Sequence, residues 1–543
     1  MKPNAELLSL SEELLIYILS FLPWRDVLRC TSLCKVLRQT YMSSSELQYV
    51  TELGSQQLLP ISNNHIPASK RLQLLKENAR AWFKFDLHSF QTISIPEIFQ
   101  TYYTQTYITN GHVCFWNSYM DSVRIFPTLP NPSQKTIERD FSPDSLCAVP
   151  NHYTIDVFMD QAQNLLAIAY AIEVDNYPSD EESYIELLTL DGDSVHPQAA
   201  GRTLFMSTFW LPRRREIPSK LEIFGRHIAF LRFIPLFDDT GSSLASIWWL
   251  QIWDWQYSTL SNVSINQNQL TDLTVDSIQS ILSGPTVLEG SSTRSIDFCF
   301  LGNDRMLIVS DDLKLYSIED ASQPLQLLAC FLLPASVFDL QCFSPTNDIA
   351  CSSHQKIQAQ PVTVTWISDP KHRVLSLVSH SSALDFVVST KIFFDEYFDP
   401  EGMVLTIPWI SWGPPNVRIF SHHFPCRLGV SGSRALCAFP AAGATKDEYS
   451  VYSEYRLHLM DFSPSAIRRH QQGLGRLVNE PSTVGNCESG EQLTTFLPYV
   501  EVVSNRTFSW GEFVDIWLDK DKIYLFKEDI ETNRMDQLEV IEM

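Results

Sequence analysis

Phe298-Cys-Phe-Leu-Gly-Asn-Asp-Arg-Met-Leu-Ile-Val-Ser-Asp-Asp-Leu-Lys-Leu-Tyr-Ser-Ile318 reads as three short apolar runs separated by polar turns at Gly302-Asn303 and Asp311-Asp312. Runs this short, bounded by Gly, Asn and Asp, are strand signals and leave no room for a helix. The same pattern recurs on both sides. Ile223-Phe-Gly-Arg-His-Ile-Ala-Phe-Leu-Arg-Phe233 reads as strand, turn, strand, and Ile247-Trp-Trp-Leu-Gln-Ile-Trp-Asp-Trp255 as a strand buried on both faces. Further strands are expected at Leu165 to Ile172, at Tyr184 to Leu190 before Asp191-Gly192, at Arg427 to Phe439 and at Ile516 to Phe526. From residue 90 onward such units return every 50 residues or so, a loose period that predicts one large all-β domain, a β-propeller of about seven blades.

Composition agrees with a large folded body. The chain has 543 residues, 44% hydrophobic and 12% aromatic, enough to fill a sizeable core. Its formal charge is −23, and residues 1–42 are nearly balanced, so the excess acid belongs to the remainder. A chain this acidic is a poor partner for nucleic acid, which needs clustered Lys and Arg. The sole basic cluster, Arg213-Arg214-Arg215, reads as a solvated loop. The acid serves solubility and equally suits a basic target protein. Eleven cysteines, odd in number and without a CxxC pair, fit a reducing compartment. No basic n-region precedes the apolar stretch at Leu14 to Leu22, and no stretch approaches the roughly 20 residues that span a bilayer. The expectation is therefore a soluble cytoplasmic or nuclear protein without a membrane partner, in which the sequons at Asn262 and Asn505 arise by chance.

The N-terminus is written differently. In Leu10-Ser-Glu-Glu-Leu-Leu-Ile-Tyr-Ile-Leu-Ser-Phe-Leu-Pro23, Leu14, Ile18 and Phe21 form one helical stripe, and Leu15, Leu19 and Leu22 form a second beside it. Ser11 is placed to cap this helix, Glu12 and Glu13 suit its dipole, and Pro23 ends it. After Trp24-Arg25-Asp26, the spacing of Cys30, Cys34, Leu37 and Tyr41 predicts a second amphipathic helix. A helical hairpin of under about 40 residues cannot bury all of this. Its surplus apolar surface must meet either the rest of the chain or another protein. Residues 43–68 turn to Ser, Gln, Asn and Pro, with Ser62-Asn-Asn-His-Ile-Pro67 the clearest breaker, and read as a linker. A helix follows at 69–83, with Leu72, Leu75, Ala79 and Trp82 on one face.

The order Leu10, Glu13-Leu14, Ile18-Leu-Ser-Phe-Leu-Pro23, Asp26-Val-Leu28, Leu33-Cys34 and Arg38 resembles the F-box motif, and Ser43-Ser-Ser-Glu-Leu47 resembles the segment that follows it. The family usually carries proline where Ser11 stands and tryptophan where Leu37 and Gln48 stand. The 69–82 helix and the closing Leu497 to Val503 and Asp515 to Val540 stretches look like those of fungal F-box proteins, while Ile252-Trp-Asp-Trp255 is similar to the end of a Trp-Asp repeat blade. The resemblance implies an F-box over residues 1–45, a linker with its helix over 46–90, and a substrate-binding propeller over 91–543. It also implies a role: the substrate-recognition subunit of an SCF-type cullin-RING ubiquitin ligase, bridging a Skp-type adaptor to a target protein. Carried over by position, the adaptor contacts are Leu10, Leu14, Ile18, Leu22, Leu28, Leu33 and Cys34. Two other readings are a propeller scaffold whose F-box-like hairpin is a structural cap and a propeller enzyme acting on a small molecule.

The sequence carries no nucleophile elbow, phosphate loop, HExxH or dinucleotide fingerprint, so no catalytic residue, cofactor or metal is expected. His422-His423-x-x-Cys426 lacks the further ligands a metal centre needs. Asp191 and Asp193 read as a hairpin turn before they read as a carboxylate pair. Trp248, Trp249, Trp253 and Trp255 read as blade core rather than a sugar platform.

Overall fold

The computed structural model of the chain describes residues 7–543 except 62–65, 102, 110, 129–135, 148, 151, 174–180, 207–218, 238–242, 258–286, 293–295, 303, 320–324, 338, 344–365, 380, 396–397, 399–402, 422–427, 446–451, 471–474, 486–491, 510–511, 513–514 and 530–533. Beyond the N-terminal helices, the described strands build seven sheets, each with four antiparallel strands that form the blade of a propeller, as the strand pattern predicts; the fourth and sixth sheets in chain order add a fifth strand, respectively Leu405–Ile407, parallel to its neighbour, and Arg476–Val478. Blade 1 runs through Thr104–Thr109, His112–Asn117, Ser122–Pro127 and Arg139–Phe141, and blade 2 through His152–Asp160, Leu165–Glu173, Glu181–Thr189 and Thr203–Phe205. Blade 3 is Ser219–Phe224, His227–Phe237, Ser243–Asp254 and Val287–Ser292, and blade 4 is Asp297–Phe300, Arg305–Val309, Leu313–Ser317 and Gln326–Phe331. Blade 5 comprises Leu340–Phe343, Val374–Ser379, Leu384–Ser389 and Val417–Ser421, and blade 6 comprises Gly429–Ser431, Arg434–Pro440, Glu454–Asp461 and Tyr499–Ser509. Blade 7 closes the ring from both sides of the sequence. Its strands Asp515–Leu518, Lys522–Asp529 and Arg534–Glu542 are joined by Gln91–Ser94, which pairs with the last of them, Ile93 opposite Leu538. Closure of this kind leaves no long open edge around the ring.

Apolar cores lie between neighbouring blades. Leu221, Ile228, Phe230 and Trp253 of blade 3 pack on Leu165, Ala167 and Ile185 of blade 2, and Trp248, Leu250 and Ile252 of blade 3 pack on Phe298, Met306 and Ile308 of blade 4. Strands buried on both faces by adjacent blades explain their near-continuous hydrophobic runs. The four tryptophans of the third strand of blade 3 and its end are all buried here.

Two carboxylates sew consecutive blades together near the axis. Asp156, on the first strand of blade 2, accepts at Oδ1 from the Tyr107 hydroxyl of blade 1 (3.0 Å) and from the Val157 N–H (2.8 Å), and at Oδ2 from the Leu221 N–H of blade 3 (2.8 Å). Asp297, on the first strand of blade 4, repeats this. Its Oδ1 accepts from Lys220 Nζ of blade 3 (2.7 Å) and from the Phe298 N–H (2.8 Å), and its Oδ2 from the Cys342 N–H of blade 5 (2.7 Å). Burial pushes the Asp156 carboxyl up to about 7, against the pull of those donors. Its share of stability is thus fully present below the ordinary carboxylate value and is lost as pH rises through about 7.

His227, at the start of the second strand of blade 3, does the opposite. It is fully buried, neither ring nitrogen has a hydrogen-bond partner, and burial, helped by Arg226, lowers it to about 4. Its contribution is complete above about 6.5 and is lost as pH falls toward 4. His227→Phe is therefore expected to stabilise the chain more at pH 5 than at pH 8, by about 2 kcal/mol of difference, read as thermal melts at the two pH values. An equal shift at both would show that this histidine is not held neutral.

The helical part departs from the hairpin expected. Helix α1 (Glu12–Ser20) is followed by α2 (Trp24–Leu33), α3 (Lys35–Ser43) and α4 (Ser45–Ser55), and α5 spans Ala68–Lys84. The continuous helix expected through Cys30, Cys34, Leu37 and Tyr41 is broken at Cys34, which is extended at φ −153° and ψ 163°. The break lets all four residues fold onto one small core with Leu15, Leu19 and Leu47. Ser11 stands at the N-cap of α1, yet its side chain makes no cap bond. The Glu13 carboxyl is held below its usual range, first by its own backbone N–H and then by the Ser11 hydroxyl. Helix α4 occupies residues that read as linker, with Leu47, Tyr49 and Leu53 buried. Most of the Ser62–Pro67 breaker lies outside the described residues.

Candidate protein-docking surface

The register fixes which end of the propeller each loop occupies. First-to-second and third-to-fourth strand connections emerge at one end, and second-to-third turns and blade-to-blade connections at the other. The helical unit sits on the first end, over blades 5 to 7. Leu58–Pro60, just after α4, pairs with Trp366–Ser368 in the first-to-second connection of blade 5, and the Asp369 N–H donates to the Gln57 carbonyl at 3.0 Å. Tyr49 and Leu53 of α4 share a core with Leu72 and Leu75 of α5, and Trp366 packs against it. At the far end of α5, Trp82, Phe85 and Leu87 enter the seam of blades 6 and 7 among Leu436, Leu457, Ile516 and Ile523. Arg434 lies 4.9 Å above the Trp82 ring. Phe85 ends the helix in the left-handed conformation at φ 46°, a costly geometry for a bulky residue, and its ring is buried in the seam.

The unit is therefore anchored through α4 and α5, which leaves α1 to α3 to show their own faces. Of the two stripes on α1, Leu15 and Leu19 point inward to Leu37 and Leu47, while Leu14, Tyr17, Ile18 and Phe21 face water, Phe21 at 71% exposure. Tyr17 and Phe21 meet edge to face at 4.8 Å. Leu7 and Leu8 before α1, Leu33 at the end of α2 (75% exposed) and Val36 and Met42 of α3 are exposed as well. A Cβ at Gly54 of α4 would lie 2.3 Å from Trp24 Cδ1, so glycine lets α2 lie against α4.

Among the residues expected to contact an adaptor, Leu14, Ile18 and Leu33 are exposed, Leu10, Leu22 and Cys34 are half-buried against the small helical core, and Leu28 is half-buried. The core thus brings Leu10, Leu22 and Cys34 together, and the outer face of α1 joins Leu14 to Ile18. Tyr17, Phe21 and Val36 extend the exposed surface beyond the expected adaptor contacts. Tyr17 and Phe21 share the i, i+3, i+4, i+7 spacing of Leu14 and Ile18, which is the signal that finds them.

Among the described residues, no group of His, Cys, Asp and Glu is arranged to hold a metal, and no helix is long and apolar enough to cross a membrane. Asp191 and Asp193 belong to a turn held by Asn164, which reaches Asp191 at 2.7 Å, and by Arg139, which binds Asp193. His422, His423, Cys426, Arg213, Arg214, Arg215 and Asn262 lie outside the described residues.

The sequence matches no protein-family model and no curated protein. Similar solved structures include the WD40 domain of SCAP from fission yeast, 6% identical over 89% of this chain and 97% of that one with a TM-score of 0.34. The C-terminal WD40 domain of Sif2 is 9% identical over 80% and 93%, with a TM-score of 0.33. Streptogramin B lyase is 10% identical over 84% and 98%, with a TM-score of 0.30. The strand order of the chain itself defines its propeller.

Proposed function

We propose that this chain is the target-recognition subunit of a ubiquitin ligase of the SCF type, with α1 to α3 holding a Skp-type adaptor and the propeller holding a target protein. The observation that carries this reading is the outward stripe of Leu14, Tyr17, Ile18 and Phe21, on helices whose sequence resembles the F-box. A structural cap would turn its greasy face to the body it covers; here the anchoring is done by α4 and α5 instead. Rate enhancement would come from holding a target near ubiquitin-transfer machinery supplied by other subunits. The chain would contribute binding and orientation, with no acid, base or nucleophile of its own.

A pull-down with a Skp-type adaptor tests it. The full chain should be retained, and Leu14→Asp with Ile18→Asp should weaken capture by about 100-fold or more, since buried apolar anchors carry most of an interface's energy. Its thermal melt should move little, because both positions are exposed in the free chain. Leu15→Asp, which places a charge in the small core, should instead unfold the helical unit. Undiminished capture of the double variant would remove that face of α1 from the assignment.

A further inference from the structure

The propeller end opposite the helical unit carries a built aromatic platform. Tyr103, just before the first strand of blade 1, and Tyr119, in the turn between its second and third strands, are 60% and 77% exposed. Their ring centroids lie 5.5 Å apart with planes 30° off parallel. Asn117, buried beneath them, ties the two loops into one piece. Its Nδ2 donates to the Ile98 carbonyl at 2.6 Å and to Thr101 Oγ1 at 3.0 Å, and its Oδ1 accepts from the N–H groups of Tyr119 (3.1 Å) and Met120 (2.8 Å). The backbone N–H of Ser118 donates to the Tyr103 carbonyl at 3.0 Å, and the Ser118 hydroxyl donates to it at 3.1 Å.

Rings this exposed add little to the core, yet the loops that carry them are fixed by a buried side chain. Preorganised aromatic groups lose little freedom on binding, which makes them effective contact residues. The net charge of the chain selects the charge of the partner. The chain carries 63 acidic against 40 basic residues. The Tyr119 turn continues into Asp121, one of whose carboxylate oxygens is buried without a hydrogen-bond partner. The loop before Tyr103 carries Glu97, which meets Arg534 at the surface at 3.0 Å. A chain with this excess of acid attracts cationic segments and repels anionic ones, and a tyrosine face is a good seat for a guanidinium.

We infer that the Tyr103–Tyr119 platform is a docking site for an arginine-bearing segment of a partner protein. It goes beyond the ligase reading and holds whether or not the helical unit binds an adaptor. Fluorescence anisotropy of the full chain with a short labelled Arg-Gly repeat peptide, beside its Glu-Gly counterpart, tests it. The Arg-Gly peptide should bind and the Glu-Gly peptide should not. Tyr103→Ala with Tyr119→Ala should weaken the binding by about tenfold, while Tyr103→Phe with Tyr119→Phe, which keeps both rings, should stay within about twofold. Tyr257→Ala, at an exposed tyrosine on the opposite end, should change nothing. Failure of the wild-type chain to bind the Arg-Gly peptide would overturn the proposal, and so would undiminished binding by the double alanine variant, which would reduce the effect to diffuse attraction.

Discussion

Trp82→Ala is expected to cost about 3–5 kcal/mol, the range for deleting a fully buried large aromatic, and to loosen the helical unit from the propeller. Trp82 is 0% exposed and inserts α5 between Leu436 of blade 6 and Ile516 of blade 7. Losing the indole opens a cavity in that seam and removes the ring beneath the Arg434 guanidinium. The indole Nε1 is buried without a hydrogen-bond partner, so Trp82→Phe gives up less: it keeps an aromatic ring and deletes an unpaired donor. A thermal melt should place Trp82→Phe well above Trp82→Ala, and limited proteolysis should cut the alanine variant first near α5. Equal melts for wild type and Trp82→Ala would mean that the seam does not hold the helices.

Asp297→Ala should be nearly as damaging, about 3 kcal/mol or more, because it breaks a partly buried ion pair by removing one side only. Burial by itself would lower the Lys220 ammonium, but Asp297 and Glu222 beside it hold it well above its ordinary value. With Asp297 gone, Glu222 at 3.1 Å and the Phe298 carbonyl at 2.8 Å are left as its partners, and the N–H groups of Phe298 and Cys342 lose their acceptor. Asp297→Asn separates the causes, since it retains one acceptor oxygen while losing the charge. An intermediate melt is expected for it. A variant as stable as the wild type would show that the joint of blades 3, 4 and 5 rests on apolar packing alone.

The propeller was legible because each blade's middle strands are buried on both sides, which writes long apolar runs such as Ile247 to Trp255 into the sequence. Its closure was not. Gln91-Thr-Ile-Ser94 is short and mostly exposed, and only pairing with the C-terminal strand makes it part of a blade. Nor do Asp156 and Asp297 announce themselves, since an aspartate within or at the start of a strand argues locally against the strand. Their value lies in backbone donors from a neighbouring blade. In the helical unit, two apolar stripes on α1 were evident, but periodicity cannot say which faces inward. That was decided by Leu37 and Leu47 packing on Leu15 and Leu19. The break at Cys34 has no Pro or Gly to mark it, and α4 hid in a polar composition because its buried side includes Thr51 and Ser55 as well as Leu47, Tyr49 and Leu53.

Hydrogen–deuterium exchange of the full chain, with and without an equimolar Skp-type adaptor, tests the central claim most directly. Adaptor binding to α1 to α3 should slow exchange in peptides covering Leu7 to Leu22 and Leu33 to Val36, with the loops of Tyr103 and Tyr119 at the other end unchanged. Protection confined to the propeller, or none anywhere in residues 7–43, would contradict it.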